Sequence, residues 1–211
     1  MDATGPSLSE TERDIMRATY RALCAHGYAN LTMGAIADEF DKSQSLIHYH
    51  YETKQDLLTA FLDFLLDRLA EKVADVDADD PEARLELLLD VLLLGPEDAE
   101  DFQTAMLELR VQAPYEERYR DQLAANDASV RALLEEVVAS GVEAGAFAPV
   151  APERAADLVL IAIEGARSRR VVFGDEEPIR RTRETILTLL REGSIAQSAP
   201  EAAPGEGGPT E

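Results

Sequence analysis

Tryptophan is absent from the chain, and cysteine occurs once, as Cys24. A single thiol excludes an internal disulfide and a cysteine-only metal site. Within a helical segment it reads as a small hydrophobe. Long apolar runs are missing as well. The longest cluster, LELLLDVLLLG, is interrupted by Asp90, whereas a bilayer span needs roughly 20 apolar residues. The opening MDATGPSLSETERD has neither the cationic nor the apolar region of a secretory signal. No membrane partner and a cytoplasmic location are therefore expected. Positive charge is also scarce. Acidic residues outnumber basic ones 42 to 20, the formal net charge is −22, and lysine occurs only as Lys42, Lys54 and Lys72. Such a surface ordinarily argues against a nucleic-acid partner, because affinity for DNA comes largely from neutralising phosphates. Molar salt offers another origin: the Debye length falls to roughly 3 Å, and repulsion among carboxylates then costs little. The lysine-poor, acidic composition fits a salt-in halophile and speaks of the solvent rather than the partner.

What is present is helix-forming pattern almost throughout. Hydrophobic residues make up 45% of the chain, and no stretch alternates with a period of two between turn residues. An all-α fold is expected. Ser9 with Glu12 forms a capping box ahead of an apolar stripe of Ile15, Ala18, Ala22 and Leu23 that Gly27 ends. Thr32 caps a second helix in which Met33, Ile36, Ala37 and Phe40 share a face. Asp41-Lys42 reads as a tight break, and Ser43 caps QSLIHYHY. Thr53 with Asp56 makes a second capping box, opening a long amphipathic helix from about Lys54 to Val76. Beyond the acidic DVDADDPE, helices are predicted near 81–94, 97–112, 115–122, 126–145, 152–173 and 178–192. The Pro/Gly/Ala/Glu-rich residues 193–211 read as a disordered tail.

Three short helices with a tight turn between the second and third form a helix-turn-helix pattern. In DKSQSLIHYHYETKQDLL, residues 41–58, Ile47 continues the core stripe. Gln44, Ser45, His48 and Tyr49 fall on the opposite side, each pair one turn apart. Gln44 suits adenine, Ser45 donates or accepts, and an exposed Leu46 suits a thymine methyl. His48, Tyr49 and His50 offer donors to phosphates, Lys54 stands in the first turn of the next helix, and Thr32 caps the second. From pattern and chemistry alone, the same side chains read as a DNA-facing surface or as ordinary packing and solvated charge.

The stretch LTMGAIADEFDKSQSLIHYHYETKQDLLTAFLDFLL resembles the N-terminal signature of the TetR family of transcriptional regulators over about residues 10–65. Shared features are a Thr-led helix, an Ile-Ala dipeptide, a capped recognition helix, an aromatic-His-aromatic run, and Thr-Lys followed by an acidic residue and Leu-Leu. The chain departs from that signature at Asp41-Lys42, Ser45, Leu46 and His48. The resemblance implies a helix-turn-helix domain over 1–52, and a helical effector-binding and dimerisation domain over 53–192. It also implies DNA contacts at Thr32, Ser43, Gln44, Ser45, His48, Tyr49, His50 and Lys54, with Ile36, Ala37, Phe40, Ile47 and Tyr51 as core. Residues 1–55 hold five basic and eight acidic side chains, so DNA binding that needs salt to screen repulsion is expected.

The C-terminal part is less specific. SGVEAGAFAPVAPERAADLVLIAIEGARSRRVVFG resembles the lead-in and penultimate helix of that family. Leu158, Ile161, Ala162 and Gly165, with Leu187 and Leu190 on the last helix, make a smooth face suited to a four-helix homodimer interface or to packing within one bundle. In DFQTAMLELRVQAPYEERY, the residues Phe102, Met106, Arg110 and Tyr119 suit a pocket for a small amphipathic or acidic effector, or core with a salt bridge. A buried Arg110 needs Glu108, Glu164 or a ligand carboxylate as its partner. No Glu-x-x-His pair, phosphate loop or nucleophile elbow appears, and three histidines at these spacings make no metal site. Neither an enzyme nor a cofactor or metal is expected. A homodimeric, ligand-responsive repressor on a palindromic operator is the leading expectation; a helical adaptor without DNA binding is the alternative.

Overall fold

The structure, a computed structural model, describes residues 8–40, 43–95 and 99–193. The break predicted at Asp41-Lys42, and all of the predicted tail except Gly193, lie outside the described residues. Within them, all regular structure is helical. Nine α-helices are described: α1 (Glu10–Asn30), α2 (Met33–Asp38), α3 (Gln44–His50), α4 (Lys54–Ala74), α5 (Pro81–Leu89), α6 (Ala99–Gln112), α7 (Glu117–Glu143), α8 (Pro152–Phe173) and α9 (Glu177–Glu192). No described helix is long and apolar enough to cross a membrane.

Local chemistry accounts for most helix starts. Both expected capping boxes form. Glu12 Oε2 accepts from the Ser9 N–H at 2.8 Å, and Asp56 Oδ2 accepts from the Thr53 N–H at 3.1 Å. Each pairing answers one of the orphan donors at a helix start, and the bonds to Ser9 hold the Glu12 carboxyl below its ordinary value. Thr32 accepts from the Ala35 N–H at 3.0 Å as expected. Ser43 makes no side-chain cap; its hydroxyl lies 2.9 Å from that of Ser45. Gly27, at φ 66, interrupts α1 before its last turn. There Glu108 Oε2 accepts from the N–H groups of Tyr28 and Ala29 at 2.7 and 3.3 Å, so α6 ties down the end of α1.

Two predicted segments differ. Residues 115–122 and 126–145 are not separate helices, because α7 runs unbroken through them. Asn126, read as a start, instead donates to the Leu62 carbonyl at 2.9 Å and accepts from Gln122 at 2.8 Å, both within reach of α4. With its side chain satisfied across the interface, it has no capping role. The segment read as helix to 94 is α-helical only to Leu89. Asp90–Leu94 form a π-helical turn that Gly95, at φ 72, closes. Arg183 of α9 grips Asp90 at 2.6 Å, and the Gln103 amide donates to the Leu93 carbonyl at 3.0 Å. These tertiary contacts hold the wider turn in place.

Two apolar clusters make up the core. One joins α1, α2, α3 and the first half of α4 through Ile15, Leu23, Ile36, Ile47, Leu57 and Phe61. It continues into Phe102, Met106 and Leu109 of α6 and Tyr119 of α7. The other joins the end of α4 to α5, α7, α8 and α9. The N-terminal cluster therefore does not close at residue 52: α6 completes it.

Phe147, 4% exposed, covers Gly141 of α7 so closely that a Cβ there would stand 2.0 Å from the ring. Gly141→Ala is expected to lower stability by about 1–3 kcal/mol despite alanine's better helix propensity, because a buried ring must move. Thermal or denaturant unfolding measures this; a gain in stability would show that the ring relaxes freely.

Candidate functional site

Helix α3 presents two sides. Ile47 is fully buried and anchors it to α1 and α2, while Gln44, Ser45, His48 and Tyr49 are exposed, Tyr49 at 82%. Thr32 and Ser43, at the starts of α2 and α3, are exposed on the same N-terminal unit. Ile36, Phe40 and Tyr51 are buried as expected, and Ala37 is partly so. Burial, with the Glu12 charge adding, pushes the Tyr51 phenol up to about 12.

Three expected contacts turn inward. Leu46, read as exposed, is half-buried against the N-terminal core. His50 is half-buried with Nδ1 3.7 Å from Glu12 Oε1, its ring edge-on to Tyr49 at 5.3 Å. Lys54 folds back to donate to the Leu31 carbonyl at 3.0 Å, with its ammonium 4.5 Å from the centre of the Tyr28 ring. Burial lowers the Lys54 pKa. In this conformation its charge closes the α1–α2 junction, where a backbone carbonyl and an aromatic face together hold it.

A second feature lies where the two core clusters meet. A cavity of about 490 Å³ opens between α1, α4, α6, α7 and α8. Phe61, Phe64, Leu65, Phe102 and Met106 supply apolar wall; Gln103, Arg110, Asn126, Asp127 and Arg167 supply polar groups. Of the residues expected at a pocket, Phe102, Met106 and Arg110 line it, and Tyr119 does not. Tyr119 is 1% exposed and packs edge-on against Tyr28 at 6.1 Å. Desolvation raises its phenol pKa. The turn at Ala113–Glu116 rotates Tyr119 away from the cavity and onto α1, a change of direction invisible to sequence spacing. Arg110 pairs with Asp127 at 2.8 Å and Glu164 at 2.7 Å; of the partners expected for it, Glu108 is instead engaged at the end of α1. Sequence reading missed Arg21, Gln103 and Arg167. Arginines on otherwise amphipathic helices carry no local signal of a cavity.

The face expected to form a dimer splits in two. Leu158 and Ile161 are 54% and 67% exposed, and Gly165 has open space where a Cβ would project. Ala162 is half-buried between them. Val172 and Phe173 extend the exposed row at 59% and 67%. Leu187 and Leu190, by contrast, are 6% and 1% exposed and sit in the C-terminal core. α9 has one strongly apolar stripe, and α8 and the π-helical turn consume it.

Residues 15–61 match the family described as bacterial regulatory proteins, tetR family, and residues 81–193 match the BetI-type transcriptional repressor C-terminal domain. The chain belongs to the TetR family of transcriptional regulators. It is similar to a TetR transcription regulator from Haloarcula marismortui ATCC 43049, with 47% identity, 85% of this chain and 95% of that chain covered, and a TM-score of 0.74. A transcriptional regulator from Saccharomonospora viridis, solved in complex with choline, is 21% identical with a TM-score of 0.68, covering 86% of this chain and 96% of that one. A TetR-family regulator from Rhodococcus sp. is 25% identical with a TM-score of 0.68, covering 85% and 96%. No curated protein matches the chain. This TetR-family member is a transcription factor and not an enzyme, with an N-terminal helix-turn-helix unit and a C-terminal helical bundle.

Proposed function

We propose that this chain is a ligand-responsive repressor that works in the cytoplasm, reading a palindromic operator as a homodimer. The observation that carries the DNA reading is α3. Ile47 anchors the helix, and an opposite face of Gln44, Ser45, His48 and Tyr49 stands free for the major groove. Thr32 and Ser43 reach phosphates beside it, and His50 and Lys54 serve mainly to hold α3 and the α1–α2 junction in place. Residues 1–52 form the reading unit, 53–192 the bundle, and the two share a core across α6. The exposed Leu158, Ile161 and Gly165 row supports a dimer built chiefly on α8, which spaces two α3 helices for successive grooves about 34–36 Å apart. The choline complex of the Saccharomonospora viridis protein supports a small-molecule effector in the bundle, and the 490 Å³ cavity is its place.

The test is fluorescence anisotropy with DNA upstream of the chain's own gene, at low salt and in molar KCl. Sequence-specific binding that persists in molar KCl is expected, since the reading unit is itself acidic. A steep monotonic loss with salt would remove the halophilic part of the reading, and no binding in either condition would favour an adaptor.

Arg21 offers the route from cavity to DNA. It lines the cavity and bonds both the side chain of Glu39, at 3.3 Å, and the Glu39 carbonyl at the C-terminal cap of α2. A ligand that draws Arg21 inward releases the end of α2, immediately before the turn to α3. Arg21→Gln is expected to keep DNA binding, to lose the share of ligand affinity that Arg21 supplies, and to shrink the effect of one on the other by about fivefold or more, within the usual range of coupling energies. Unchanged coupling would rule this route out.

A further inference from the structure

The cavity has a charge opposite to that of the chain. Arg17, Arg21, Arg68, Lys72, Arg110 and Arg167 line it against a single acidic residue, Asp127. Over the whole chain acid outnumbers base by about two to one, so six cations at one concavity are not a sample of the general surface. Several are already engaged. Arg17 meets Asp14 at 3.2 Å, Arg21 meets Glu39 at 3.3 Å, and Arg110 holds both Asp127 and Glu164. Arg68 lies over the Phe64 ring at 5.9 Å and, like Lys72, is solvated.

Arg167 is different. No hydrogen bond or ion pair reaches it from the described residues, and Glu164 and Asp127 attract it only at longer range. Burial, with the Arg110 charge adding, pushes its guanidinium down to about 10, so it remains cationic at neutral pH. Arg167 is half-buried on the cavity wall, and a partly desolvated guanidinium without a hydrogen-bonded anion gains from an incoming carboxylate. Gln103 stands on the same wall. It is 3% exposed, one N–H of its amide donates to the Leu93 carbonyl, and its Oε1, an acceptor suited to a water or a hydroxyl rather than to a carboxylate, has no partner among the described residues. Gln103, Met106, Arg110 and Arg167 also border a small side cavity of about 40 Å³ between α6 and α8, together with Glu164, whose carboxylate is taken up by Arg110 at 2.7 Å. The polar end of the site therefore lies on the α6–α8 wall. The α1–α4 side is aromatic and aliphatic, with Tyr20, Phe61, Phe64 and Leu65, and Phe102 of α6 packs onto it, against Tyr20 at 4.9 Å and Phe61 at 6.4 Å.

We propose that the cavity takes an anionic amphiphile, a monocarboxylate on an apolar body, with its carboxylate on the Arg167 guanidinium and its body against Phe61, Phe64, Leu65 and Phe102. This names the ligand class for the effector site and rests on that reading of the cavity. A planar guanidinium suits a carboxylate bidentately, and the row of arginines and Lys72 at the mouth draws anions while repelling cations.

The test is calorimetric titration of the full-length protein with octanoate, 1-octanol, octylammonium and choline, in molar KCl. Three of these probes share one tail and differ in head charge; 4-phenylbutanoate compares an aromatic with an aliphatic body. Octanoate or phenylbutanoate is expected to bind at least about tenfold tighter than octanol, as a charge-assisted pair implies, with octylammonium and choline silent. Arg167→Gln is expected to bring octanoate to the level of octanol, and Arg167→Lys to restore part of the preference. Binding of octanol or octylammonium as tight as that of octanoate overturns the proposal, as does silence of every probe. If Arg167→Gln does not fold, the head-group comparison on the native protein and the lysine variant still decide. Octanoate binding that leaves DNA affinity unchanged would overturn the effector reading while the anion site stands.

Discussion

Replacing Gln44 and Tyr49 together by alanine is expected to weaken sequence-specific DNA binding by about a hundredfold or more, with little change in thermal stability. A well-made base contact is worth about 1–3 kcal/mol, and losing the one from Gln44 together with the Tyr49 phosphate donor leaves little of a face of four exposed side chains. Stability should hold because Tyr49 is 82% exposed and Gln44 is also on the solvent side; surface substitutions of this kind usually change stability by within about 0.5 kcal/mol. Ile47→Ala is the instructive contrast. That side chain is fully buried, so its truncation is expected to cost about 2–5 kcal/mol and to lose DNA binding through loss of the fold. Anisotropy paired with unfolding midpoints separates the two. Wild-type affinity in the double variant would move the reading surface off α3.

Charge placed on the outer row of α8 should have the second large effect. If the proposed homodimer forms on this row, Leu158→Glu with Ile161→Glu is expected to convert it into a 23.1 kDa monomer, with operator binding falling in parallel. Both side chains are more than half exposed, so the carboxylates are solvated in the monomer and cost it little. In an isologous interface, each substitution appears twice near the two-fold axis, where unpaired charges would be desolvated. Leu187→Glu should behave differently, since Leu187 is 6% exposed in the C-terminal core. It destabilises the single chain before any question of association arises. Light scattering in molar KCl reads the oligomeric state, and a double variant that remains a dimer would place the interface elsewhere.

Much of the N-terminal unit was legible because its determinants are local. Ser9 with Glu12, Thr32, and Thr53 with Asp56 mark helix starts through bonds that span three residues. Ile36, Phe40 and Ile47 sit at helical spacing and are buried as that spacing requires. The side chains that went astray are those whose partners are distant in sequence. Lys54 finds the Leu31 carbonyl 23 residues earlier, and Glu108 finds α1 about 80 residues away. Asn126 looked like a break and is instead a bridge to α4. The cavity was half legible. Phe102, Met106 and Arg110 lie within one stretch of α6, but Arg21 and Arg167 come from opposite ends of the chain and only folding brings them to one space.

By itself, then, the sequence determined an all-helical chain, its TetR-type reading helix and an acidic surface, because periodicity, capping and charge are properties of neighbouring residues. Tertiary structure decided which way each apolar stripe faces. α9 spends Leu187 and Leu190 on the core, α8 leaves Leu158 and Ile161 outside, and Arg167 is half-buried on a cavity wall. Those outcomes depend on what packs against each helix, and one apolar or cationic side chain looks the same in sequence whichever neighbour it meets.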